Sequence, residues 1–459
     1  MNKTQYAIGK EMRAKTPRNR HAEWKVPHKR PAVKDMIELS NYDRIPQLVP
    51  VRHYRMSASP FVFYRATASI MARDLSSTLS SNIIVQACGD CHLMNFGGFA
   101  TPERHVIVDI NDFDETHPGN WEWDLKRLAT SFSLAAREKS FSQKDGDDVV
   151  MKMINTYQSS LNAYAEMNLI DLWYLKFDLD EIVSNTSNEQ VKERLAKTLA
   201  KAHKQTHDSV FYKMTSSNMG KFSITEEPPL ILHPFNVEES MEMIRSFLDQ
   251  YKTTLQPDRK FLFEQYHVTD VALKVVGVGS VGTRCFVALL LSDDNEPLFI
   301  QVKEARQSVL EPYNPAPAYQ HHGERVVQGQ RLTQSASDIF LGWTTGPHGR
   351  HFYLRQLKDK KISANVETMN KNLLTIYAQL CGKVLAKAHC KTNKGSVISG
   401  YIGKGDALAK AVTKFANSYA DQTEKDHAAF MKAVKAGKLR AEPDLENVIR
   451  AIDITGAKN

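Results

Sequence analysis

The feature that most constrains this chain is a glycine cluster between apolar runs, in VTDVALKVVGVGSVGTRCFVALLLSDDNEPLFIQVK, residues 268–303. The runs are rich in β-branched and other apolar residues, and the sequence Asp293-Asp294-Asn295 supplies a turn before the last one. Short apolar runs separated by turn residues are typical of antiparallel strands. The segment therefore predicts a small antiparallel sheet.

The remainder of the 459-residue chain is mostly helical in pattern, which predicts an α+β fold with two lobes. Apolar residues recur at helical spacing through 61–77, 121–204, 324–341 and 373–391, whereas 82–87, 105–113 and 351–357 are typical of strands, with a hairpin turn at TPER. We expect four regions: a basic arm (1–40), a helical lobe (41–235), a small β-containing lobe (236–360) and a helical C-terminal region (361–459), with the Ser-, Gly- and Pro-containing stretch 215–235 as the boundary between lobes.

Composition and charge indicate the cellular location of the protein and the partners that it could bind. The chain is 42% hydrophobic and 24% charged and has no apolar run long enough for a membrane span, so we expect no membrane partner. Its N-terminus lacks the apolar stretch of a secretion signal, which favours the cytoplasm. Residues 1–35 hold ten Lys or Arg against three acids. This arm could meet nucleic acid, but a solvated, partly disordered tail is the favoured interpretation.

The segment CGDCHLMNFGG, residues 88–98, allows three interpretations. Cys88-x-x-Cys91-His92 has the spacing of a c-type haem attachment site, and the two cysteines could form half of a zinc site. A third hypothesis takes Asp90 and Asn95 as the acid and the amide of a phosphoryl-transfer loop. The absence of a secretion signal opposes haem, and five scattered cysteines oppose a four-ligand zinc site. We favour the third hypothesis, with reduced, inert cysteines.

Phosphoryl transfer requires an acid near the attacking hydroxyl and oxygen ligands for Mg²⁺. Asp90 would face the acceptor hydroxyl and Asn95 would offer its amide oxygen to the metal. The carboxylate ligand would be Asp112, in the sequence Asn-Asp-Phe-Asp, with Asp109 and Asp114 as rivals. The alternative is that these acids only cap turns.

The same chemistry requires a loop over the nucleotide phosphates and a cation beside them. Gly277, Gly279, Ser280 and Gly282 would form the loop, because a strand follows them and Thr283 stands where a Walker A loop requires Lys.

The cation would be Lys303 in LFIQVKEA, with Glu324 at the start of the next helix as its counter-ion. An exposed lysine on an edge strand is the alternative. The backbone at Arg355, Gln356 and Leu357, after a predicted strand, is where we expect adenine to bind.

Several long motifs resemble the bacterial domain-of-unknown-function family 2252: RMSASPFVFYRA, GDCHLMNFGGF, DINDFDETHPGNWEWDLKRLATS, GERVVQGQRLTQSASDIFLGW and FYLRQLKDKK. The resemblance covers residues from about 20 to about 430. That family is grouped with protein-kinase-like folds. The resemblance implies Asp90 as the catalytic-loop acid, Asn95 and Asp112 as metal ligands, and Lys303 with Glu324 as the phosphate lysine and its partner.

The order of these motifs differs from that of ordinary kinases. The glycine loop and Lys303 follow Asp90 instead of preceding it, which predicts a circular permutation. LAKAHCK, at the end of the helix 373–391, resembles the helix that precedes the catalytic loop in kinase-like antibiotic phosphotransferases. Cys88 and Gly89 replace the His and Arg of protein kinases, and Asp114 replaces the glycine of Asp-Phe-Gly.

These departures favour a small-molecule or atypical acceptor over a protein, and His92 could orient the loop. We therefore expect an ATP- and Mg²⁺-dependent phosphotransferase. Two alternatives stay open. One is transfer of AMP from the same pocket, and the other is a pseudoenzyme or nucleic-acid-binding module that works through the basic arm.

Overall fold

The computed structural model describes residues 1–204, 207–218, 221–228, 230–357 and 360–443. It is a mixed α+β structure with antiparallel sheets, 53% helical and 15% strand, which confirms the α+β part of the predicted fold class. The last part of the predicted C-terminal region, 444–459, lies outside the described residues. The helices are α1 (Lys3–Lys15), α2 (Val33–Ser40), α3 (Val49–Met56), α4 (Pro60–Arg65), α5 (Ala68–Leu75), α6 (Trp121–Glu138), α7 (Gln143–Tyr164), α8 (Leu169–Tyr174), α9 (Leu179–Ser184), α10 (Glu189–His203), α11 (His207–Met214), α12 (Met241–Lys252), α13 (Pro257–Phe263), α14 (His322–Thr333), α15 (Lys371–His389), α16 (Gly395–Ile402) and α17 (Ala407–Lys435).

The strands form antiparallel pairs throughout the described part of the chain. The predicted glycine hairpin is confirmed, because β8 and β9 pair on either side of it and β10 pairs with β9. The largest sheet has the order β11-β12-β10-β9-β8-β7, a smaller one has the order β13-β2-β3, and β1 pairs with β4. The strands are β1 (Ile84–Ala87), β2 (Phe96–Ala100), β3 (Val106–Ile110), β4 (His117–Asn120), β5 (Thr215–Asn218), β6 (Lys221–Ile224), β7 (Ile231–Leu232), β8 (Tyr266–Lys274), β9 (Cys285–Ser292), β10 (Pro297–Glu304), β11 (Gly342–Thr345), β12 (His351–Gln356) and β13 (Ile362–Ser363).

The main hydrophobic core lies among the long helices α6, α7, α15 and α17. Helix α6 is buried along almost its whole length, and its Trp121 stacks on Tyr157 of α7 with ring centroids 5.9 Å apart. Helix α15 packs along α7, so the predicted C-terminal region joins the helical part of the molecule. None of the helices in the described ranges combines the length and the apolar composition that a membrane crossing requires.

The basic N-terminal arm is not a disordered tail, and that expectation is wrong. Residues Lys3–Lys15 form α1, which packs against α16 near the other end of the chain. The two helices approach so closely that a Cβ on Gly9 would lie 2.0 Å from the carbonyl oxygen of Val397. A glycine on each helix permits backbone contact there, a packing signal that charge counting does not detect.

Two predicted helices are shorter than expected, for local reasons. The helix expected over 61–77 breaks into α4 and α5, because Thr67 has non-helical backbone angles and Arg52 takes the carbonyl of Ala66. The helix expected over 324–341 ends at Thr333, because Gln334 turns its side chain to the carbonyl oxygen of Ile110.

Candidate functional site

The loop of residues 88–95 is held in place by a buried carboxylate from α6. Asp124 accepts hydrogen bonds from the backbone N–H groups of Cys88 at 2.7 Å and Gly89 at 3.0 Å. Gly89 has φ +84°, and a Cβ there would lie 2.2 Å from the carbonyl oxygen of Glu115. Only glycine suits that position, because it combines a left-handed backbone with close contact to another segment.

The carboxylate of Asp90 is oriented by Arg127, one helical turn after Asp124 on α6. Arg127 contacts one oxygen, Oδ1, through Nε at 2.7 Å and through a terminal nitrogen at 2.5 Å. Oδ2 has no contact with Arg127 and lies 3.8 Å from Nε2 of His92. Burial raises the pKa of Asp90 above its ordinary value, although Arg127 opposes that rise. A raised pKa suits a carboxylate that accepts a proton.

The side chain of Asn95 is fixed by the same loop. Its Nδ2 donates to the carbonyl oxygen of Asp90 at 2.6 Å, which leaves the amide oxygen as the atom that can bind a cation. His92 is buried, and burial lowers its pKa well below the ordinary value, so its ring is neutral. Its Nδ1 is buried without a hydrogen-bond partner. The ring therefore supports the loop by packing.

The three rival acids near β3 have different environments. Asp109 is fully buried and pairs with Lys387 of α15 at 2.6 Å, so it is a structural ion pair. Asp114 accepts a hydrogen bond from the hydroxyl of Tyr353 at 2.6 Å. Asp112 is the most open, with 38% of its side chain exposed. Burial would raise the pKa of Asp112, but Lys303 and Arg355 hold it below its ordinary value, so it is ionised.

Lys303 lies at the centre of the large sheet, because β10 pairs with both β9 and β12. The alternative of an exposed edge-strand lysine is therefore wrong. Its Nζ is 2.6 Å from Oδ2 of Asp114 and 3.7 Å from Oδ1 of Asp112. The prediction that Glu324 is its counter-ion is also wrong, because Glu324 lies in the first turn of α14 and Asp114 occupies that role.

The glycine loop between β8 and β9 packs on the segment of α2 to α4. Gly277 and Gly282 have positive φ angles, and the carbonyl oxygen of Gly277 accepts a hydrogen bond from Arg55 at 2.6 Å. Gly279 and Ser280 line a cavity of about 320 Å³ together with the acids of the site. The loop therefore reaches the cavity through its middle, while its ends are anchored elsewhere.

The backbone predicted to hold adenine, at the end of β12, already forms hydrogen bonds within the protein. The N–H of Gln356 donates to Asp338 at 2.6 Å, and that of Leu357 donates to the carbonyl oxygen of Phe299 at 2.8 Å. The guanidinium of Arg355 reaches the carbonyl oxygen of Asn111 at 3.2 Å. The N–H groups of Gln356 and Leu357 thus have protein partners, and adenine binding at this backbone stays a prediction.

The structure thus brings most of the predicted residues together. Asp90, Asp112 and Asp114 line one cavity with Gly279 and Ser280. Lys303 joins them through its contact with Asp114, across 189 residues of sequence. Glu324 does not contact Lys303, and the N–H groups of Gln356 and Leu357 have other partners.

Sequence reasoning missed two charged residues of the site, Asp124 and Arg127. Both lie in WEWDLKRLATS, three residues apart on one helix face, among apolar positions. Charges inside an apolar helix pattern require partners, and this was the available signal. Arg325 was also missed. It donates to the carbonyl oxygens of Asp114 and Arg306 at 3.0 and 2.7 Å and so links the acidic turn to the segment after β10.

The two cysteines of the loop are buried thiols. Cys88, Cys91 and Asp124 offer possible ligand atoms within 4.8 Å of one another. Both oxygens of Asp124 already accept backbone hydrogen bonds. A hydrogen bond with Cys91 and burial raise the pKa of Cys88 well above the ordinary value, and burial raises that of Cys91 to about 11. Neutral thiols are poor metal ligands.

The residues present fit a hard divalent cation better at the other side of the loop. Asn95 and Asp112 offer an amide oxygen and an ionised carboxylate, which is the donor set that Mg²⁺ prefers. The backbone links them, because the N–H of Asn111 donates to the carbonyl oxygen of Asn95 at 2.8 Å.

Fold and site together define the class of protein: a mixed α+β protein with antiparallel sheets and a charged cavity, which is lined by helices α2–α5, the segments that carry Asp90 and Asp112, and the glycine loop. Residues 44–433 match the family model described as "Uncharacterized protein conserved in bacteria (DUF2252)", so the chain belongs to this family. The resemblance seen in the sequence is confirmed. No curated protein and no solved structure matches the chain.

Proposed function

We propose that this protein is an ATP- and Mg²⁺-dependent phosphotransferase with a kinase-like, circularly permuted fold. Its acceptor would be a small molecule or another atypical substrate. The single observation that carries the proposal is the contact of Lys303 with the acidic turn at Asp112 and Asp114, in a cavity that Asp90 also lines. Phosphoryl transfer needs an acid, metal-binding oxygens and a cation at one place, and this cavity has them.

Asp90 would accept the proton of the acceptor hydroxyl through Oδ2, the oxygen that Arg127 does not contact. The acceptor oxygen would then bond to the γ-phosphorus of ATP while the bond to the bridging oxygen breaks and ADP leaves. Asn95 and Asp112 would hold Mg²⁺, which neutralises phosphate charge when bound. Lys303 would exchange its contact with Asp114 for a contact with a phosphate oxygen of the nucleotide.

The permuted order is supported by how α15 meets the 88–95 loop. At the end of α15, Nε2 of His389 lies 3.4 Å from Asp124, the residue that holds Cys88 and Gly89. The helix that would precede the loop in an ordinary kinase order is therefore beside it in space, although the chain does not connect them there. This supports joining the two segments in one kinase-like lobe.

The test uses ATP labelled at either the γ or the α phosphate, incubated with the full chain and a bacterial cell extract. We expect transfer of the γ label to an acceptor by the wild type. Asp90→Asn should reduce the rate about 10²-fold or more, because it removes the proton acceptor. Asp258→Asn, at an exposed position of α13, is the matched control and should transfer label at the wild-type rate.

Two results would contradict the proposal. Transfer of the α label alone would mean that AMP, not phosphate, is the transferred group. Equal rates for the wild type and Asp90→Asn would show that this carboxylate takes no part in the chemistry.

A further inference from the structure

The same cavity is also lined by a group of arginines. We name it the arginine end. None of its arginines forms an ion pair within 4.0 Å with a carboxylate of any described residue. They come from helices α3 to α5, from the loop after α2 and from the loop after β10. The arginine end consists of Arg44, Arg52, Arg65, Arg73 and Arg306.

These arginines contact neutral groups only. Arg44 and Arg52 donate to backbone carbonyls and polar side chains, and Arg306 donates to a backbone carbonyl. Arg52 is 1% exposed, and its Nε has no hydrogen-bond partner. The buried Nε of Arg65 has none either. Neutral oxygens satisfy N–H groups but do not compensate the charge of a guanidinium taken out of water.

Two other buried arginine side chains of the described structure, Arg30 and Arg284, do have carboxylate partners, whereas buried Arg325 donates only to backbone carbonyl oxygens. Arg30 pairs with Asp74 at 2.8 Å and with Asp426 at 2.5 Å. Arg284 lies 3.3 Å from Glu304, with both side chains 3% exposed. The arginine end has no carboxylate in direct contact, so an anion bound in the cavity would add the compensation that Arg30 and Arg284 receive from this chain.

The acids of the same cavity compensate these arginines only in part. Burial lowers the pKa of Arg65 and of Arg44, although Asp90 opposes that change at Arg65 and Glu115 and Glu304 oppose it at Arg44. Asp90 is bound to Arg127, Asp114 to Lys303, and Glu304 to Arg284, and these three cations lie outside the arginine end. Glu115 also lines the cavity, but burial raises its pKa to about 7, which weakens its negative charge.

Among the arginines of the arginine end, Arg65 acts on Asp90, with which it lines the same cavity. Burial raises the pKa of Asp90, and Arg127 and Arg65 oppose that rise, whereas the cations that act on Asp112 are Lys303 and Arg355. The metal and nucleotide phosphates belong at Asp112 in the proposed function. A group bound at the arginine end would therefore lie next to the proton acceptor.

We propose that the arginine end binds an anionic group, a phosphate or a carboxylate, carried by the acceptor. The acceptor class is thus a compound with both a hydroxyl and a phosphate or carboxylate. That the bound compound is the acceptor rests on the proposed function, but the anion site itself does not depend on that function. Guanidinium groups bind both anions through paired N–H donors, so the two chemistries are separated by experiment.

The test is calorimetric titration of the full chain with inorganic pyrophosphate and, separately, with citrate. We expect wild-type binding that weakens as ionic strength rises. Arg65→Gln and Arg306→Gln should each weaken it about tenfold, because each removes a charge-assisted contact. Arg245→Gln, on the exposed face of α12, is the matched control and should bind as the wild type does. Stronger binding of pyrophosphate or of citrate identifies the anion class.

Thermal melting of each variant is measured first, and Arg306→Gln stands in if Arg65→Gln does not fold. Pyrophosphate binding that is unchanged in both variants would overturn the inference. So would an equal loss of Mg²⁺–ATP affinity, since the arginines would then hold nucleotide phosphates. Arginine-dependent pyrophosphate binding in a protein that does not bind ATP would support the anion site and contradict the proposed function alone.

Discussion

The acidic end and the arginine end of the cavity differ in whether their charged groups have oppositely charged partners. At the acidic end, formed by Asp90, Asp112 and Asp114, every carboxylate has Arg127 or Lys303 within 4 Å. At the arginine end, the guanidinium groups meet only neutral oxygens. The charges of the acidic end are therefore paired before anything binds, whereas the arginine end requires an external anion. Substitutions at the acidic end should therefore lower the free energy of unfolding, whereas substitutions at the arginine end should not.

The largest expected effect is at Lys303. Lys303→Met should lower the free energy of unfolding by on the order of 3 kcal/mol, because it leaves Asp114 without its cation. Glu324→Gln is the control and should change it by less than about 0.5 kcal/mol, because Glu324 makes no ion pair with Lys303. Chemical denaturation measures both. Equal losses in the two variants would restore the sequence-based pairing of Lys303 with Glu324.

Asp124 should have the next largest effect. Asp124→Ala removes both hydrogen bonds to the backbone of the 88–95 loop and should cost about 2 kcal/mol in unfolding free energy. It should also lower the rate of γ-label transfer, because the loop that carries Asp90 loses its support. Asp124→Asn keeps one acceptor and should recover part of both. If neither stability nor transfer responds, the loop is held by other contacts.

The pH dependence of stability tests Glu115, which lies between the two ends. Burial raises its pKa to about 7 from 4.5, so the folded state holds a proton that the unfolded state has lost. The unfolding free energy should therefore fall as pH rises from 4.5 to 7, by on the order of 1 kcal/mol. Glu115→Gln should remove this fall. An unchanged pH profile in that variant would assign the slope to other groups.

The smallest effect is expected at Arg65, and its sign is the informative part. Arg65→Gln should leave the unfolding free energy unchanged or raise it by about 0.5 kcal/mol, because it removes a cation that has no carboxylate partner. Chemical denaturation in the absence of added phosphate measures this. A loss comparable to that of Lys303→Met would show that the two ends of the cavity do not differ.

Local patterns in the sequence predicted the parts of the site that depend on neighbouring residues. The glycine hairpin, the strand that carries Lys303 and the loop from Asp90 to Asn95 follow from turn residues and short apolar runs. Each of these features extends over a few residues, so the information that determines it is contiguous in the chain.

Partners that are distant in sequence were not predictable in the same way. Asp114 and Glu324 were equally possible partners for Lys303 from charge alone, and the choice depends on how β10 crosses the acidic turn. The packing of α1 against α16 depends on glycines on two helices that lie nearly four hundred residues apart. The contact between the N–H of Gln356 and Asp338, in the segment expected to bind adenine, likewise depends on a residue outside that strand.

The central claim is that Asp112 and Lys303 form one Mg²⁺–nucleotide site, and calorimetric titration with ATP tests it most directly. We predict that the wild type binds ATP in the presence of Mg²⁺ and that Asp112→Asn weakens this binding about tenfold or more. The exposed control Asp258→Asn should bind as the wild type does. Equal affinities for the wild type and Asp112→Asn, or wild-type affinity that is the same with and without Mg²⁺, would contradict the claim.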